Sequence, residues 1–141
     1  MSAPVPPPKP LPSLDGLNGE FYRRLAATRE LAFQCCAACG RLRHPPRFRC
    51  AACGSAETSF APSRGRGRVY SWTITHQALH PAFARDVPYA VVVTELEEGV
   101  RIVTGLRELV PDGLRLDLPV EVVLERVSES VVLPFVRPRR S

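Results

Sequence analysis

The sequence predicts a mainly β protein with an N-terminal helix, in which a metal-binding ribbon of four cysteines precedes a small β-barrel. Three observations support this fold class. Two short cysteine pairs are separated by ten residues, apolar residues before them recur with a helical spacing, and the second half contains five strand-like patterns. At 141 residues, the chain can form one ordinary domain or a small domain beside a metal-stapled one.

The two cysteine pairs have the spacing of a tetrahedral metal site. Each pair encloses two alanines and precedes a glycine, as Cys36-Ala-Ala-Cys39-Gly and Cys50-Ala-Ala-Cys53-Gly. The gap lets both thiolates of a pair face one ion, so these four cysteines are predicted to bind a structural zinc with no open position for a catalytic water. Iron is an alternative, because paired cysteines also form rubredoxin-like sites. Two disulfides are disfavoured, because no secretory leader precedes the pairs.

Two further side chains near these pairs need an assignment. Cys35 directly precedes Cys36, so its thiol is expected to point away from the metal site and to pack as a small apolar side chain. The alternatives are an exchangeable fifth ligand or an oxidation-prone thiol. His44 lies between the pairs and is predicted to be a surface histidine, since four cysteines already complete the shell. The arginines around it alternate with Leu42 and Phe48, which predicts one basic face.

The charge of the chain indicates an anionic partner. The net charge is +5, and eighteen arginines stand against the single Lys9. Arginine favours bidentate contacts with phosphate and carboxylate, so nucleic acid, a phosphorylated cofactor and an acidic protein surface all remain open. The longest apolar run begins at Tyr89 and has the length of a strand, so no membrane span and a cytoplasmic location are predicted.

Residues 1–60 contain three predicted segments. Residues 1–14 are rich in proline and are predicted to form a disordered tail or to wrap over a partner subunit, with a polyproline ligand as the alternative. Residues 15–33 are predicted to form one helix capped by Asp15 or Asn18, with a break near Thr28 as the alternative. Residues 34–60 are predicted to form the ribbon. The apolar face of this helix comprises Phe21, Tyr22, Leu25, Ala26, Leu31 and Phe33.

Residues 61–138 are predicted to form an OB-fold barrel. Glu97-Glu98-Gly99 supplies a hairpin turn, with the glycine that a positive φ requires. Strict alternation along the first strand would place Tyr70 and Trp72 on one face, for stacking on bases or for core packing. The five predicted strands span residues 67–76, 89–96, 100–106, 118–127 and 131–136.

No catalytic residues are predicted. Gly65-Arg-Gly67 lacks the third glycine of a phosphate-binding loop, and its alternation with arginine predicts a mobile turn or a small nucleic-acid patch. His76, His80 and Asp86 fall in or beside one long loop, but they have neither a nucleophile nor a paired carboxylate beside them. A free-standing enzyme built on a His76–Asp86 pair is therefore disfavoured.

The order of these motifs resembles that of a known family. Glu20-Phe-Tyr22 precedes the first cysteine pair, Pro45-Pro-Arg47 and the second pair follow, and Gly65-Arg-Gly-Arg-Val-Tyr-Ser-Trp-Thr73 opens the barrel. The remaining matches are Pro88-Tyr89, Glu95-Leu96, Glu98-Gly-Val-Arg101 and Leu133-Pro-Phe135. Over residues 17–138 the chain resembles the acyl-CoA-associated family in which a rubredoxin-like zinc ribbon is joined to an OB-fold. Cys35 departs from the pattern, since the family often has a basic or polar residue there.

The resemblance implies a non-catalytic accessory subunit of an acyl-CoA enzyme in a hetero-oligomer. The expected partner is a thiolase-superfamily enzyme, either a thiolase or a lipid-transfer-protein-like aldolase, or alternatively a hot-dog hydratase. Under this reading, Arg64, Arg66 and Arg68 are expected near the coenzyme A phosphates, on the partner's substrate channel. The alternative function is a single-strand nucleic-acid-binding OB-fold protein that uses Tyr70 and Trp72.

Overall fold

The ribbon half consists of one helix and a three-stranded antiparallel sheet. The computed structural model describes residue 5 and residues 7–140. The elements of this half are α1 (Gly16–Thr28), β1 (Ala32–Cys36), β2 (Leu42–Arg43) and β3 (Thr58–Pro62). The sheet has the order β2–β1–β3, so the strand that ends at Cys36 is central.

The barrel half closes as β4–β5–β6–β8–β7, with β4 pairing both β5 and β7. All neighbours are antiparallel except β6 and β8, which are parallel. This closed five-stranded barrel confirms the predicted fold class, and each predicted strand end lies within two residues of the observed one. Gly99 has φ 88°, as the predicted hairpin turn requires. The strands are β4 (Arg66–Thr75), β5 (Tyr89–Leu96), β6 (Arg101–Leu106), β7 (Pro119–Arg126) and β8 (Val132–Pro138).

The helix ends earlier than predicted. Arg29 adopts a left-handed conformation (φ 58°), and its N–H donates to the Leu25 carbonyl, which closes the last turn. The Thr28 hydroxyl donates to the Arg24 carbonyl and accepts from the N–H of Glu30, which turns the chain away from the helix axis. The prediction of helix up to residue 33 is therefore wrong, because a local cap overrides the apolar spacing and residues 32–36 pair as strand β1.

A β-bulge interrupts the predicted alternation of side chains in β4. The register shifts between Val69 and Ser71, so Tyr70 is the extra residue and the side chains beyond it change face. Val69 is fully buried and Trp72 packs against the same core cluster, whereas Tyr70 is 47% exposed. Tyr70 and Trp72 therefore do not share a face, contrary to the prediction.

One apolar core joins the helix, the ribbon and the barrel. Phe21 and Leu25 of α1 and Phe33 of β1 are buried in the same cluster as barrel residues. Full burial of such side chains stabilises a fold by about 1.5–3 kcal/mol each. The barrel members of this cluster are Leu96, Val100, Ile102 and Val132.

The connection between the two halves is fixed in place. The carbonyl of Gly65 accepts a 2.7 Å hydrogen bond from Val122, and the chain enters strand β4 at the next residue. A Cβ on Gly67 would lie 2.2 Å from the carbonyl oxygen of Glu95, so the two backbones approach as closely as only glycine permits. The predicted turn is thus shorter than expected, because strand β4 already begins at Arg66. Gly65 has φ 70°, and a Cβ there would lie 3.2 Å from the Val122 side chain.

The described part of the proline-rich segment lies against the barrel of its own chain. The Lys9 ammonium is 2.6 Å from the Asp86 carboxylate and 5.4 Å from the centroid of the Phe83 ring. The predicted disorder of residues 1–14 concerns in part residues 1–4 and 6, which lie outside the described residues. Among the described residues, no helix is long and apolar enough to cross a membrane.

Candidate metal centre and surrounding surfaces

The four paired cysteines converge on one point. Their sulfur atoms all lie within 4.8 Å of one another, with Sγ–Sγ distances of 3.5 Å for Cys36–Cys53 and 3.7 Å for Cys39–Cys50. A regular tetrahedron with Zn–S bonds of about 2.3 Å has S–S edges of about 3.8 Å. The cysteines are free thiols rather than disulfides. Both the donor atoms and their spacing fit a single tetrahedral metal ion.

Each cysteine pair lies on a tight turn that favours the thiolate of its first cysteine. Gly40 and Gly54 have φ of 79° and 78°, and each donates a 2.8 Å hydrogen bond to the carbonyl of the first cysteine in its pair. The N–H of Cys39 donates to Cys36 Sγ and lowers the pKa of that thiol to about 6. The N–H of Cys53 likewise lowers the pKa of Cys50. These N–H groups stabilise the thiolates of Cys36 and Cys50, whereas the neighbouring thiols raise the pKa of Cys39 and Cys53, as expected for four clustered sulfur atoms.

Cys35 is outside the sulfur cluster. Its half-buried thiol lies 3.4 Å from the carbonyl oxygen of Gly40, to which it can donate, and 3.7 Å from that of Cys36. Successive side chains of a strand point to opposite faces, which separates Cys35 from Cys36 as the sequence predicted.

His44 contradicts its predicted exposure. Its ring centroid is 4.5 Å from that of Phe21 and 5.2 Å from that of Phe33, so the imidazole packs between the helix and the ribbon. Its Nδ1 atom is buried without a hydrogen-bond partner among the described residues. Burial lowers the pKa of His44 from 6.5 to about 4. The prediction of a surface histidine failed because two phenylalanines from different elements pack against this ring.

The three arginines expected near coenzyme A are exposed at the start of the barrel. Arg66 and Arg68 lie two residues apart on β4 and therefore share a face, while Arg64 precedes the strand. The backbone N–H of Arg64 donates to a carboxylate oxygen of Glu98 at 3.0 Å. Arg68 lies 3.5 Å from Asp117, which offsets part of its charge. Arg64 and Arg66 form no ion pair within the described chain.

Two of the three loop groups considered for catalysis, Asp86 and His80, have other partners. Asp86 pairs with Lys9, and Nδ1 of His80 accepts a 3.0 Å hydrogen bond from the N–H of Ala82, capping a short 3₁₀ turn. The structure thus gives no geometric support to a His76–Asp86 general base.

Sequence reasoning missed an apolar groove beside β5, β6 and β8. Its volume is about 1010 Å³, and its lining includes Tyr89, Val91, Leu133 and Phe135. Residues 8–11 form one side, held by the Lys9–Asp86 ion pair. No sequence pattern could indicate this groove, because its walls come from segments more than a hundred residues apart.

A four-cysteine ribbon packed on a closed OB-fold barrel is the architecture of proteins that join a rubredoxin-like ribbon domain to an OB-fold domain. Residues 23–59 match the model of the ChsH2 rubredoxin-like zinc ribbon domain, and residues 61–125 match that of the ChsH2 C-terminal OB-fold domain. The chain belongs to this ChsH2/DUF35 family, which confirms the resemblance found in the sequence.

Individual relatives extend over most of the chain. The present chain is 37% identical to a chain of a solved structure, the Ltp2–ChsH2(DUF35) aldolase. The TM-score is 0.79, and the match covers 90% of this chain and 98% of that chain. The present chain is 38% identical to a probable enoyl-CoA hydratase alpha subunit of Thermomonospora curvata, over 92% of this chain and 40% of that protein. A DUF35 domain-containing scaffold protein of Methanocaldococcus jannaschii is 32% identical, over 67% of each chain. The chain therefore spans less than half of the hydratase subunit.

Proposed function

We propose that this protein is a non-catalytic accessory subunit of an acyl-CoA-processing complex. Its catalytic partner is a thiolase-superfamily enzyme, either a thiolase or a lipid-transfer-protein-like aldolase, with a hot-dog hydratase as the alternative partner. The accessory chain supports assembly and completes the channel for the CoA ester, while the partner performs the chemistry.

The likeness to the aldolase chain carries this proposal. This chain matches 98% of that chain at 37% identity, so the likeness includes helix, ribbon and barrel together. A second relative is named as a scaffold protein and a third as a hydratase alpha subunit. Scaffolding also agrees with the loop geometry, in which His80 and Asp86 are engaged in structural contacts.

The metal in this proposal is a structural zinc held by Cys36, Cys39, Cys50 and Cys53. Four thiolates fill a tetrahedral shell, so the ion would fix the two cysteine turns and leave no position for substrate or water. Iron fits the same donors, and ferric thiolate absorbs visible light whereas zinc does not. Metal analysis and a visible spectrum of the purified protein distinguish the two.

The arginines at the start of the barrel are proposed to approach the phosphates of coenzyme A. Replacing Arg64, Arg66 and Arg68 by Gln should raise the KM of the assembled enzyme for its CoA ester by about tenfold or more, because charge-assisted hydrogen bonds contribute about 1.5–3 kcal/mol each. Arg126→Gln, at the far end of β7, is the matched control and should leave KM unchanged. Equal KM values for the triple variant and wild type would refute this placement.

Co-purification tests the proposed function itself. The tagged chain is isolated from its native cells with nuclease treatment, and its partners are identified by mass spectrometry. We expect a thiolase-like or hydratase-like protein in stoichiometric amount. Recovery of nucleic acid in place of such an enzyme, when nuclease is omitted, would favour the alternative single-strand binding function.

The structure weakens that alternative. The bulge in β4 turns Trp72 into the barrel, and the guanidinium of Arg101 lies 3.7 Å from the ring centroid of Tyr70. A stacking platform needs exposed ring faces. These two rings therefore do not form the base-stacking surface that the sequence allowed.

A further inference from the structure

We infer that Phe48 is the anchor by which the ribbon docks into an apolar, carboxylate-rimmed pocket on its catalytic partner. This inference rests on the proposed function and identifies the surface by which the chain would bind its partner. That surface comprises Phe48, Arg41 and Arg47 and is called the ribbon tip. Phe48 is 79% exposed, although an aromatic side chain of this size is normally packed inside a protein or an interface.

The backbone around Phe48 is held from several directions. The buried side-chain amide oxygen of Gln34 accepts hydrogen bonds from the N–H of Arg47 at 2.7 Å and from Nε of Arg43 at 2.6 Å. The Arg43 guanidinium also donates to the Arg47 carbonyl at 3.2 Å. On the other side, Arg49 donates to the carbonyl of Gly54 in the second cysteine turn at 3.0 Å.

An exposed ring on a fixed backbone is already arranged for binding. Only the side-chain rotamer of Phe48 remains to be ordered on association, so little entropy opposes its insertion into a pocket. Such rigid aromatic groups are the residues that dominate the affinity of protein interfaces. A solvent-exposed ring without this support would have no comparable advantage.

The distribution of ion pairs indicates the chemistry of the partner. Six of the eleven arginines C-terminal to the ribbon form ion pairs with carboxylates of the same chain: Arg68, Arg101, Arg107, Arg137, Arg139 and Arg140. Residues 41–49 contain four arginines and no acidic residue, and none of these four forms an ion pair within the described part of the chain. The guanidinium groups of the ribbon tip are therefore unpaired in the described part of the chain, with Asp15 the one carboxylate that lines the adjacent depression. The net positive charge of this surface complements an acidic protein surface.

A protein partner explains this surface better than a nucleic acid. Single-strand binders align several stacking rings along a basic groove, whereas Phe48 is a single ring beside a shallow depression formed with the start of α1. One buried anchor within a charged rim is the usual arrangement of a protein–protein contact.

The test uses the catalytic subunit that co-purifies with this chain, expressed and purified separately. We expect Phe48→Ala to raise the Kd for that subunit by about 10- to 100-fold, as the loss of an interface anchor does. Arg41→Glu/Arg47→Glu should slow association and reduce its dependence on salt. Leu79→Ala is the matched control, because Leu79 is an exposed apolar side chain (86%) in a loop of the barrel half.

Metal content and circular dichroism establish that the variants fold, which the exposure of the altered side chains predicts. A Kd for Phe48→Ala within twofold of wild type, with the complex intact, would refute the ribbon tip as the docking surface. It would not contradict the proposed accessory function. Binding of single-stranded DNA by the wild-type chain, with no affinity for the enzyme, would overturn both. A loss of affinity in Leu79→Ala as large as that in Phe48→Ala would also refute an anchor at Phe48.

Discussion

Cys39→Ser is expected to abolish stoichiometric metal binding and to unfold the ribbon. Three remaining thiolates leave the tetrahedral shell open, and Ser is a poor ligand for zinc. In zinc-finger peptides, metal binding supplies on the order of 10–16 kcal/mol of folding free energy. The two cysteine turns have few other sources of stability, because residues 37–40 and 51–54 are exposed. The metal-to-protein ratio and the thermal unfolding curve measure both effects.

Cys35→Ser is the matched control for this experiment. Cys35 adjoins a proposed ligand in sequence but lies outside the sulfur cluster, so this variant should retain one metal ion per chain. Full metal binding and normal assembly by Cys39→Ser would contradict the proposed ligand set. Metal loss in Cys35→Ser would instead indicate that Cys35 exchanges with one of the four ligands.

Acidification is expected to destabilise the protein through His44. Burial lowers the pKa of His44 in the fold to about 4, whereas the unfolded chain has the ordinary value of 6.5. The fold therefore favours the neutral imidazole, and the stability this contributes is present above pH 6.5 and is lost as the pH falls towards 4. The full difference amounts to about 3 kcal/mol, of which about 2 kcal/mol is lost by pH 5.

Urea unfolding of wild type and His44→Leu between pH 7.5 and pH 5 measures this contribution. Leucine fits an apolar site but cannot bind a proton, so the variant should lose about 2 kcal/mol less than wild type over this range. Protonation of the cysteine thiolates affects both proteins, and its effect cancels in the comparison. Parallel pH profiles for the two proteins would contradict the buried, neutral His44.

The sequence was informative where a short pattern has one dominant physical cause. The cysteine spacing and the following glycines predicted the two metal-binding turns, and the observed φ values at Gly40 and Gly54 agree with that reason. Alternating apolar residues predicted the five barrel strands, because a strand with one buried face needs period two. The matching family models confirmed the order of ribbon and barrel.

The predictions failed where distant residues or a single inserted residue decided the outcome. The His44 ring packs against Phe21 and Phe33, two side chains from separate elements. No local sequence pattern predicts that these residues come into contact. The helix prediction continued through Phe33 because apolar spacing persisted beyond the left-handed cap at Arg29. Phe21 and Phe33 were correctly predicted to be apolar contacts, whereas the burial of the His44 ring and the end of the helix were not predicted.

The bulge at Tyr70 gives the barrel an intrinsic fluorescent reporter. The chain contains one tryptophan, and the shift in register turns its indole towards the barrel core instead of the solvent. Emission from Trp72 should therefore shift to longer wavelength when the barrel opens, even though the metal turns lie in the other half of the molecule. Val122 packs against both the cluster around Trp72 and the cluster that contains Phe33, so that emission also measures how far the loss of the metal spreads beyond the ribbon.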